Sequence, residues 1–232
     1  VRLVGSEMCI RDRIYRYIEQ NNMLTDCERV VVGLSGGADS VCLLMVLKGY
    51  IEKKHLQTEL CAVHVNHGIR QEAGDDEEFA RALCERMGVS FTAYHIDAIE
   101  LAKQLGMSVE EAGRKERYRI FNEECQGCNA RIAVAHHMND QAETVLMNLA
   151  RGTSLKGIGG IRPVRDNIIR PLLSVTRAEV EEVLEDFNQP YVTDATNLCN
   201  DYTRNSLRNV VIPYMTDCLL YTSDAADDSL RV

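Results

Sequence analysis

A short glycine-rich turn between an apolar strand and an apolar helix constrains this chain more than any other feature. The segment Arg29-Val30-Val31-Val32-Gly33-Leu34 has the composition of a buried strand, and Val41–Leu47 has that of a following helix. The residues between them, Ser35-Gly36-Gly37-Ala38-Asp39-Ser40, must form a tight turn. We expect this turn at the carboxyl edge of a sheet, where α/β proteins bind ligands.

The composition of the turn suits a phosphate group. Gly36 and Gly37 lack Cβ atoms, so backbone N–H groups can converge beside a helix N-terminus that attracts anions. Ser35 and Ser40 add hydroxyl donors. Asp39 would repel an anion unless a divalent cation lay between them, so we expect Mg²⁺ there. The spacing is too short for a Walker loop. A turn that uses its glycines for geometry alone is the alternative.

Strand-like apolar runs alternate with amphipathic helical patterns, which predicts an α/β fold with a doubly wound, mostly parallel five-stranded sheet. The predicted strands are Val30–Leu34, Leu60–Val65, Ser90–His95, Ile132–Ala135 and Ile168–Leu172. Capping-box spacing predicts helix starts at Ser108 with Glu111, Asp140 with Glu143, and Thr176 with Glu179. The glycine-rich stretch Arg151–Ile161 predicts a flexible surface connection that could serve as a lid.

Composition limits the class of protein. The 232 residues, 45% of them hydrophobic, suffice for one core. No apolar run reaches the roughly 18 residues of a membrane span, and no leader pattern opens the sequence, so we expect a soluble, cytoplasmic protein without a membrane partner. The net charge of −9 excludes a surface that binds nucleic acid nonspecifically, so any RNA contact must be local. The 9 scattered cysteines are expected to be reduced.

Four further segments carry residues capable of chemistry: His64–Arg70, Glu110–Tyr118, Ala135–Thr144, and Arg204–Arg208 followed by Pro213. The Ser-Gly-Gly-x-Asp-Ser turn resembles the PP-loop of ATP pyrophosphatases, which have a Rossmann-like fold. The order and spacing of all five motifs are similar to the tRNA(Ile)-lysidine synthase family over nearly all of residues 14–216. Gly113 departs from the family's usual Ala-Arg pair, and we expect it to affect only helix stability.

Two carboxylates and two arginine pairs each have a structural and a functional interpretation. Asp140 and Glu143 lie one turn apart on one helix face, where they could bind an ammonium group or merely cap the helix. Arg114, on a face with Glu111 and Tyr118, and the adjacent Arg117 could bind phosphate or form a salt-bridged surface. Arg204 and Arg208, spaced i,i+4, suit an anionic group.

The remaining candidates favour structural roles. His64 and His67 are expected to pack or form hydrogen bonds, since no thiolate cluster accompanies them. Cys125-Gln126-Gly127-Cys128 could be half a zinc site or a redox pair. It lacks a partner pair, and it is closer to His136 than the CxxC of PP-loop tRNA 2-thiolation enzymes usually is. We therefore assign it no chemistry.

The resemblance implies a reaction. ATP would activate carbon 2 of the wobble cytidine in a tRNA(Ile) with a CAU anticodon by adenylation, and the ε-amino group of free lysine would displace AMP. The implied roles are Mg²⁺ positioning by Asp39, assistance to adenylation by His136 and by Arg114 or Arg117, lysine binding by Asp140 and Glu143, and RNA or nucleotide phosphate contact by Arg208. A PP-loop tRNA sulfur transferase and a non-catalytic ATP-binding module are the alternatives. The sequence leaves open whether the protein forms a homodimer.

Both ends of the sequence look foreign. Leu3–Arg13 can be back-translated into a transposon-type sequencing adapter that ends in its mosaic repeat. Cys218–Asp228 reads as the reverse complement of that repeat followed by adapter. We expect residues 1–13 and 217–232 to be artefacts, and residues 14–216 to be a catalytic PP-loop domain from a longer protein.

Overall fold

The computed structural model describes residues 9–68, 73–152, 159–193 and 206–218. The chain forms two compact units. The first holds residues up to Met138 together with Arg162–Thr193, and the second holds Asn139–Ile161 with the helical residues 206–218.

The elements follow in chain order. They are α1 (Ile10–Gln20), β1 (Arg29–Gly33), α2 (Ala38–Lys53), β2 (Glu59–Asn66), α3 (Ala73–Met87), β3 (Ser90–His95), α4 (Ala98–Leu105), α5 (Val109–Glu124), β4 (Ala130–Ala133), α6 (Met138–Ala150), β5 (Val164–Arg165), β6 (Ile168–Ile169), a 3₁₀ turn (Pro171–Ser174), α7 (Arg177–Asp186) and a π-helical stretch (Leu207–Val211).

The sheet confirms the predicted α/β class and corrects the strand count. It has six strands in the order β3-β2-β1-β4-β6-β5, one more than predicted. All neighbouring pairs are parallel except β5 and β6, which form a short antiparallel hairpin. A two-residue strand is too short to produce a readable pattern, so β5 was missed. The predicted last strand also ends early, because Pro171 has no N–H for the ladder and begins the 3₁₀ turn.

Local signals placed most boundaries correctly. Ser108 caps α5, and Thr176 forms a complete capping box with Glu179 at the start of α7, both as predicted. The predicted start at Asp140 is wrong, because α6 begins at Met138 and Asp140 lies inside its first turn. Strand β4 begins and ends two residues before its predicted position. Residues 153–158 of the predicted lid lie outside the described residues.

The buried strand β1 has an apolar cluster on each face. Val30 and Val32 pack in a cluster with α1, α2 and α7, whereas Val31 packs with Ile120 and Phe121 of α5. All three valines are fully buried. Each contributes about 1.5–3 kcal/mol by leaving water. Helices therefore cover both faces of the sheet, as doubly wound folds require.

The structure describes part of each end of the chain that was predicted to be foreign. Helix α1 begins at Ile10, inside the segment predicted to be foreign, and Arg13 contacts Glu179 of α7. Residues 1–8 and 219–232 lie outside the described part of the chain. Among the described residues, no helix combines the length and apolarity needed to cross a membrane.

Candidate active site

The glycine-rich turn follows β1 as predicted and ends in the N-terminus of α2. Gly36 has φ of +89°, a left-handed conformation that favours glycine. A Cβ there would lie 3.3 Å from Cγ2 of Val192, whose N–H donates to the Gly36 carbonyl across 3.0 Å. Gly37 is the N-cap residue, so the amino end of α2, with its partial positive charge, lies next to the turn. This is the backbone geometry that binds phosphate.

The two serines brace the turn. The Ser40 hydroxyl donates to the Gly37 carbonyl across 2.9 Å and accepts from the Ser35 N–H across 3.2 Å. The two hydroxyl oxygens are 3.1 Å apart. These bonds fix the shape of the loop, whereas the role of the two hydroxyl groups as ligand donors stays a prediction.

Asp39, the predicted metal ligand, forms an ion pair with an arginine of α7, which is distant in sequence. Its Oδ2 accepts from Nη1 of Arg177 at 2.6 Å, and Arg177 Nε also donates to Glu181 at 2.8 Å. The Asp39 and Glu181 carboxylates raise the pKa of Arg177 despite its partial burial. Nε2 of His137 lies 3.8 Å from Asp39 Oδ1. The loop carboxylate thus lies between Arg177 and His137.

The His136-His137 pair lies beside the turn at the same sheet edge. Strands β1 and β4 are parallel neighbours, and the strand order reverses between them, which is where such sheets bind ligands. His136 accepts at Nδ1 a hydrogen bond from Nε of Arg170 at 3.3 Å. Arg170 is 6% exposed, and burial lowers its pKa.

Arg114 and Arg117 of α5 face aromatic rings. Arg114 stacks over the Tyr118 ring at 5.6 Å, and Arg117 Nη2 lies 2.8 Å from Nε2 of His67. Burial and the Arg117 charge lower the pKa of His67 to about 4. Within the described residues neither arginine forms a salt bridge. The predicted salt-bridged face exists on α5, but Arg119 forms it with Glu116 and Glu123.

Gly113 lies directly under the His67 ring. A Cβ at this position would lie 2.9 Å from His67 Nδ1. The predicted effect of Gly113 on helix stability is therefore incomplete, because Gly113 also makes room for the His67 ring. His64 and His67 both form hydrogen bonds as predicted, His64 through Nδ1 to the Leu34 carbonyl at 2.8 Å.

The second unit brings together the predicted acidic pair and one of the predicted arginines. Glu143 is fully buried and Asp140 is 9% exposed. Arg208 donates to Glu143 Oε1 at 2.6 Å and lies 3.5 Å from Asp140 Oδ1. Arg208 was predicted to contact phosphate, but here it binds carboxylates. Its predicted partner Arg204 lies outside the described residues.

The CxxC segment lies at the opposite edge of the sheet from the turn. Cys125 and Cys128 precede β4, and Cys27 precedes β1, so all three are at the amino ends of strands. One five-residue strand separates this edge from the turn, a distance of about 15 Å. Burial raises the pKa of the Cys125 thiol to about 11. Within the described residues no group of three or more His, Cys, Asp or Glu side chains could hold a metal.

Arg177 and Arg170 are the site residues that the sequence analysis missed. Arg177 resembled an ordinary first-turn residue behind a capping box. Arg170 is a lone cation inside the apolar stretch Ile168–Leu173. That isolation was the available signal, because a charge in a buried segment usually has a specific partner.

The strand–turn–helix geometry and the site at the sheet's switch point define a class, the nucleotide-binding α/β domains with a PP-loop. Residues 10–215 match the family model of the PP-loop domain, and the chain belongs to that family. The PP-loop domain of this family binds ATP, and the assignment of Ser35–Ser40 as its ATP-binding loop stays a prediction.

The curated relatives are named tRNA(Ile)-lysidine synthases. The chain is 45% identical over 201 residues to the one from Clostridium acetobutylicum. This alignment covers 85% of this chain and 43% of the relative. It is 46% identical over 211 residues to that of Clostridioides difficile, covering 90% and 45%. The chain therefore spans about half the length of these relatives.

Solved structures share the fold. The U34-tRNA thiolase NcsA from Methanococcus maripaludis, which has a [4Fe-4S] cluster, aligns with a TM-score of 0.64 at 25% identity over 84% of this chain and 69% of its own. NMN synthetase from Francisella tularensis aligns with a TM-score of 0.54 at 18% identity, over 78% of this chain and 70% of its own. The second likeness supports the fold alone.

Proposed function

We propose that this chain is the catalytic PP-loop part of a tRNA(Ile)-lysidine synthase. It activates carbon 2 of the wobble cytidine in a tRNA(Ile) with a CAU anticodon by adenylating the oxygen on that carbon, which releases pyrophosphate. The ε-amino group of free lysine then attacks carbon 2, and AMP leaves with that oxygen. It works in the cytoplasm, and residues 14–216 are its natural part. The identity to curated relatives supports the assignment, and one structural observation favours it over other PP-loop reactions.

That observation is the arrangement of Asp140, Glu143 and Arg208. Arg208 contacts Glu143 Oε1 at 2.6 Å and Asp140 Oδ1 at 3.5 Å, and so holds two buried carboxyl groups of one helix face together. A pair of acidic groups in such a place suits an ammonium cation, because a desolvated cation needs acidic partners. Free lysine supplies such a cation. Arg208 therefore orients the two carboxylates for lysine rather than binding phosphate directly.

The PP-loop supplies the groups for adenylation. The N–H groups at the start of α2 stabilise the charge that develops on the departing pyrophosphate, as preorganised dipoles do. His136, with Arg114 or Arg117, supports the same step. Splitting one difficult substitution into adenylation and displacement lowers each barrier.

The donor set at the loop fits a magnesium ion carried by the nucleotide. Mg²⁺ usually takes one or two carboxylates and completes its shell with phosphate oxygens and water. Asp39 is the carboxylate in the loop, and it would hold the ion through the oxygen that does not bind Arg177. When bound, the ion offsets phosphate charge during the transfer.

Among the described residues, the CxxC pair does not support the sulfur-transferase alternative. Its chemistry needs a reactive cysteine near the ATP site, whereas Cys125 and Cys128 lie at the far edge of the sheet. The non-catalytic alternative predicts ATP binding without turnover.

The test is pyrophosphate and AMP release by the 232-residue chain with Mg·ATP. Four reactions combine a tRNA(Ile) transcript with a CAU anticodon, present or absent, and lysine, present or absent. The proposal predicts release that requires the tRNA and turns over repeatedly only with lysine. The matched control is the same transcript with a UAU anticodon. ADP formation, or equal release with the control transcript, would contradict the proposal.

A further inference from the structure

Arg170 is a buried cation at the carboxyl end of β6, directly before the 3₁₀ turn. Its Nη1 donates to the Arg162 carbonyl across 2.8 Å, and its Nε donates to His136 Nδ1 across 3.3 Å. Within the described residues no carboxylate comes within salt-bridge distance of it. A guanidinium that is 6% exposed and bonded to neutral acceptors has a specific task, because its desolvation is otherwise costly.

The direction of the hydrogen bond fixes the proton of the His136 ring. A guanidinium in a protein stays charged and can only donate. His136 Nδ1 must therefore present its lone pair, and a neutral ring then carries its proton on Nε2. Protonating Nδ1 as well would break the bond and place an imidazolium against a guanidinium.

We infer that Arg170 is a positioning residue that holds His136 as the neutral Nε2–H tautomer, so that His136 acts as a hydrogen-bond donor and not as a base. The tautomer follows from contacts within the first unit alone. Its catalytic consequence rests on the proposed function. In that reaction the oxygen on carbon 2 of the wobble cytidine forms a bond to the α-phosphorus. The bond between the α-phosphorus and the oxygen that bridges to the β-phosphorus breaks, and its electron pair leaves with pyrophosphate. A fixed N–H donor at the switch point stabilises such developing negative charge without a proton transfer.

The tautomer can be read directly by ¹⁵N NMR of the imidazole rings in the ¹⁵N-histidine-labelled chain at pH 7.5. The chain has 6 histidines, and the H136N variant assigns the His136 signals by their loss. The expected wild-type spectrum has an unprotonated Nδ1 and a protonated Nε2. A protonated Nδ1 in the wild-type chain would overturn the inference, whatever any variant does.

Three variants separate positioning from general electrostatics. R170M removes both the hydrogen-bond donor and the charge, whereas R170K keeps both on a side chain of different shape. R165M removes a nearby exposed charge without touching His136. We expect R170M to give a mixture of tautomers and to lower kcat for pyrophosphate release about 10- to 100-fold, as loss of an orienting partner does, with little change in the KM for ATP. R170K should restore part of both readouts, and R165M should resemble the wild type.

The outcomes remain distinguishable if a variant folds poorly or if the reaction differs. Circular dichroism shows whether R170M is folded. If R170M is unfolded, the tautomer of His136 in the wild-type chain and in R170K still tests the inference. An unchanged tautomer in folded R170M contradicts the inference. The expected tautomers without any tRNA-dependent turnover would contradict the proposed function and leave the positioning role of Arg170 intact.

Discussion

Asp39 and Arg177 form an ion pair of 2.6 Å that joins the first turn of α2 to the first turn of α7, 138 positions apart. The pair places a fixed cation beside the only acidic side chain of the PP-loop. Arg177 thereby reduces the repulsion that Asp39 would exert on nucleotide phosphates. Helix α7 thus supplies a partial counter-charge to the loop.

We predict that D39N and R177M affect activity far more than stability. The pair is partly exposed, so its loss should cost less than about 1 kcal/mol of unfolding free energy. D39N should lower kcat/KM for pyrophosphate release by about 100-fold or more, since it removes a group acting on the transferring phosphates. R177M should mainly raise the KM for Mg·ATP. Chemical denaturation and initial rates measure both quantities.

The control is D166N, which changes an exposed carboxylate in the β5–β6 turn. Asparagine tolerates the φ of 55° found there. D39N activity equal to that of D166N would contradict a role for Asp39 in catalysis.

The acidic pair of α6 should control the lysine step. E143Q is expected to raise the KM for lysine at least about 10-fold while the first, tRNA-dependent burst of pyrophosphate persists. E143A should also destabilise the fold by about 1–3 kcal/mol, because the partly exposed Arg208 loses one of its carboxylate partners. Quenched-flow bursts and thermal melts separate these effects. E185Q, at an exposed position on α7, is the matched control, and a burst that disappears with E143Q would argue against lysine binding.

Acidification should destabilise the protein through His67. Its pKa in the folded chain is about 4, against about 6.5 when unfolded, so the unfolded state binds more protons between those values. The stability contributed by neutral His67 is present above about pH 6.5 and is lost as the pH falls towards 4, by at most roughly 3 kcal/mol. Urea unfolding from pH 7.5 to 4.5 should show a weaker slope for H67N than for H55N, an exposed histidine at φ of 52°. Equal slopes would contradict this account.

Gly113 should be coupled energetically to His67. Alanine normally stabilises a helix interior by about 1 kcal/mol over glycine. In the wild-type chain G113A should gain less, because the added Cβ meets the His67 ring and displaces it from Arg117. In the H67A background the full gain should return. A double-mutant cycle with a coupling energy near zero would exclude the contact.

The CxxC cysteines should be dispensable. C125S/C128S is expected to retain pyrophosphate release within about twofold of the wild type, because both residues lie at the sheet edge opposite the PP-loop. C42A, which changes a fully buried thiol in α2, serves as a control for general effects of thiol loss. Loss of activity in the double variant alone would revive the sulfur-transferase alternative.

Features encoded by neighbouring residues were predictable from the sequence. The strand before Ser35, the helix after Ser40 and the caps at Ser108 and Thr176 each depend on a few consecutive side chains, so local patterns suffice. The missed helix start at Asp140 has the same origin, since its capping-box spacing also fits two acids inside a first turn.

Contacts between distant segments were not predictable in this way. Arg177 approaches Asp39, and Arg170 approaches His136, only because the sheet order brings α7 and β6 to the loop and to β4. The pairing of Arg208 with Glu143 likewise joins segments 65 positions apart. Motif spacing identified the residue types at the site, but the fold determined their partners.

The most direct test of the central claim is transfer of isotopically labelled lysine to the tRNA. The 232-residue chain is incubated with Mg·ATP, labelled lysine and the CAU tRNA(Ile) transcript, and the digested nucleosides are separated by mass spectrometry. The account predicts one labelled nucleoside that replaces the wobble cytidine, with AMP formed in equal amount. AMP and pyrophosphate without any lysine-bearing nucleoside, under conditions where a full-length relative makes it, would contradict the account.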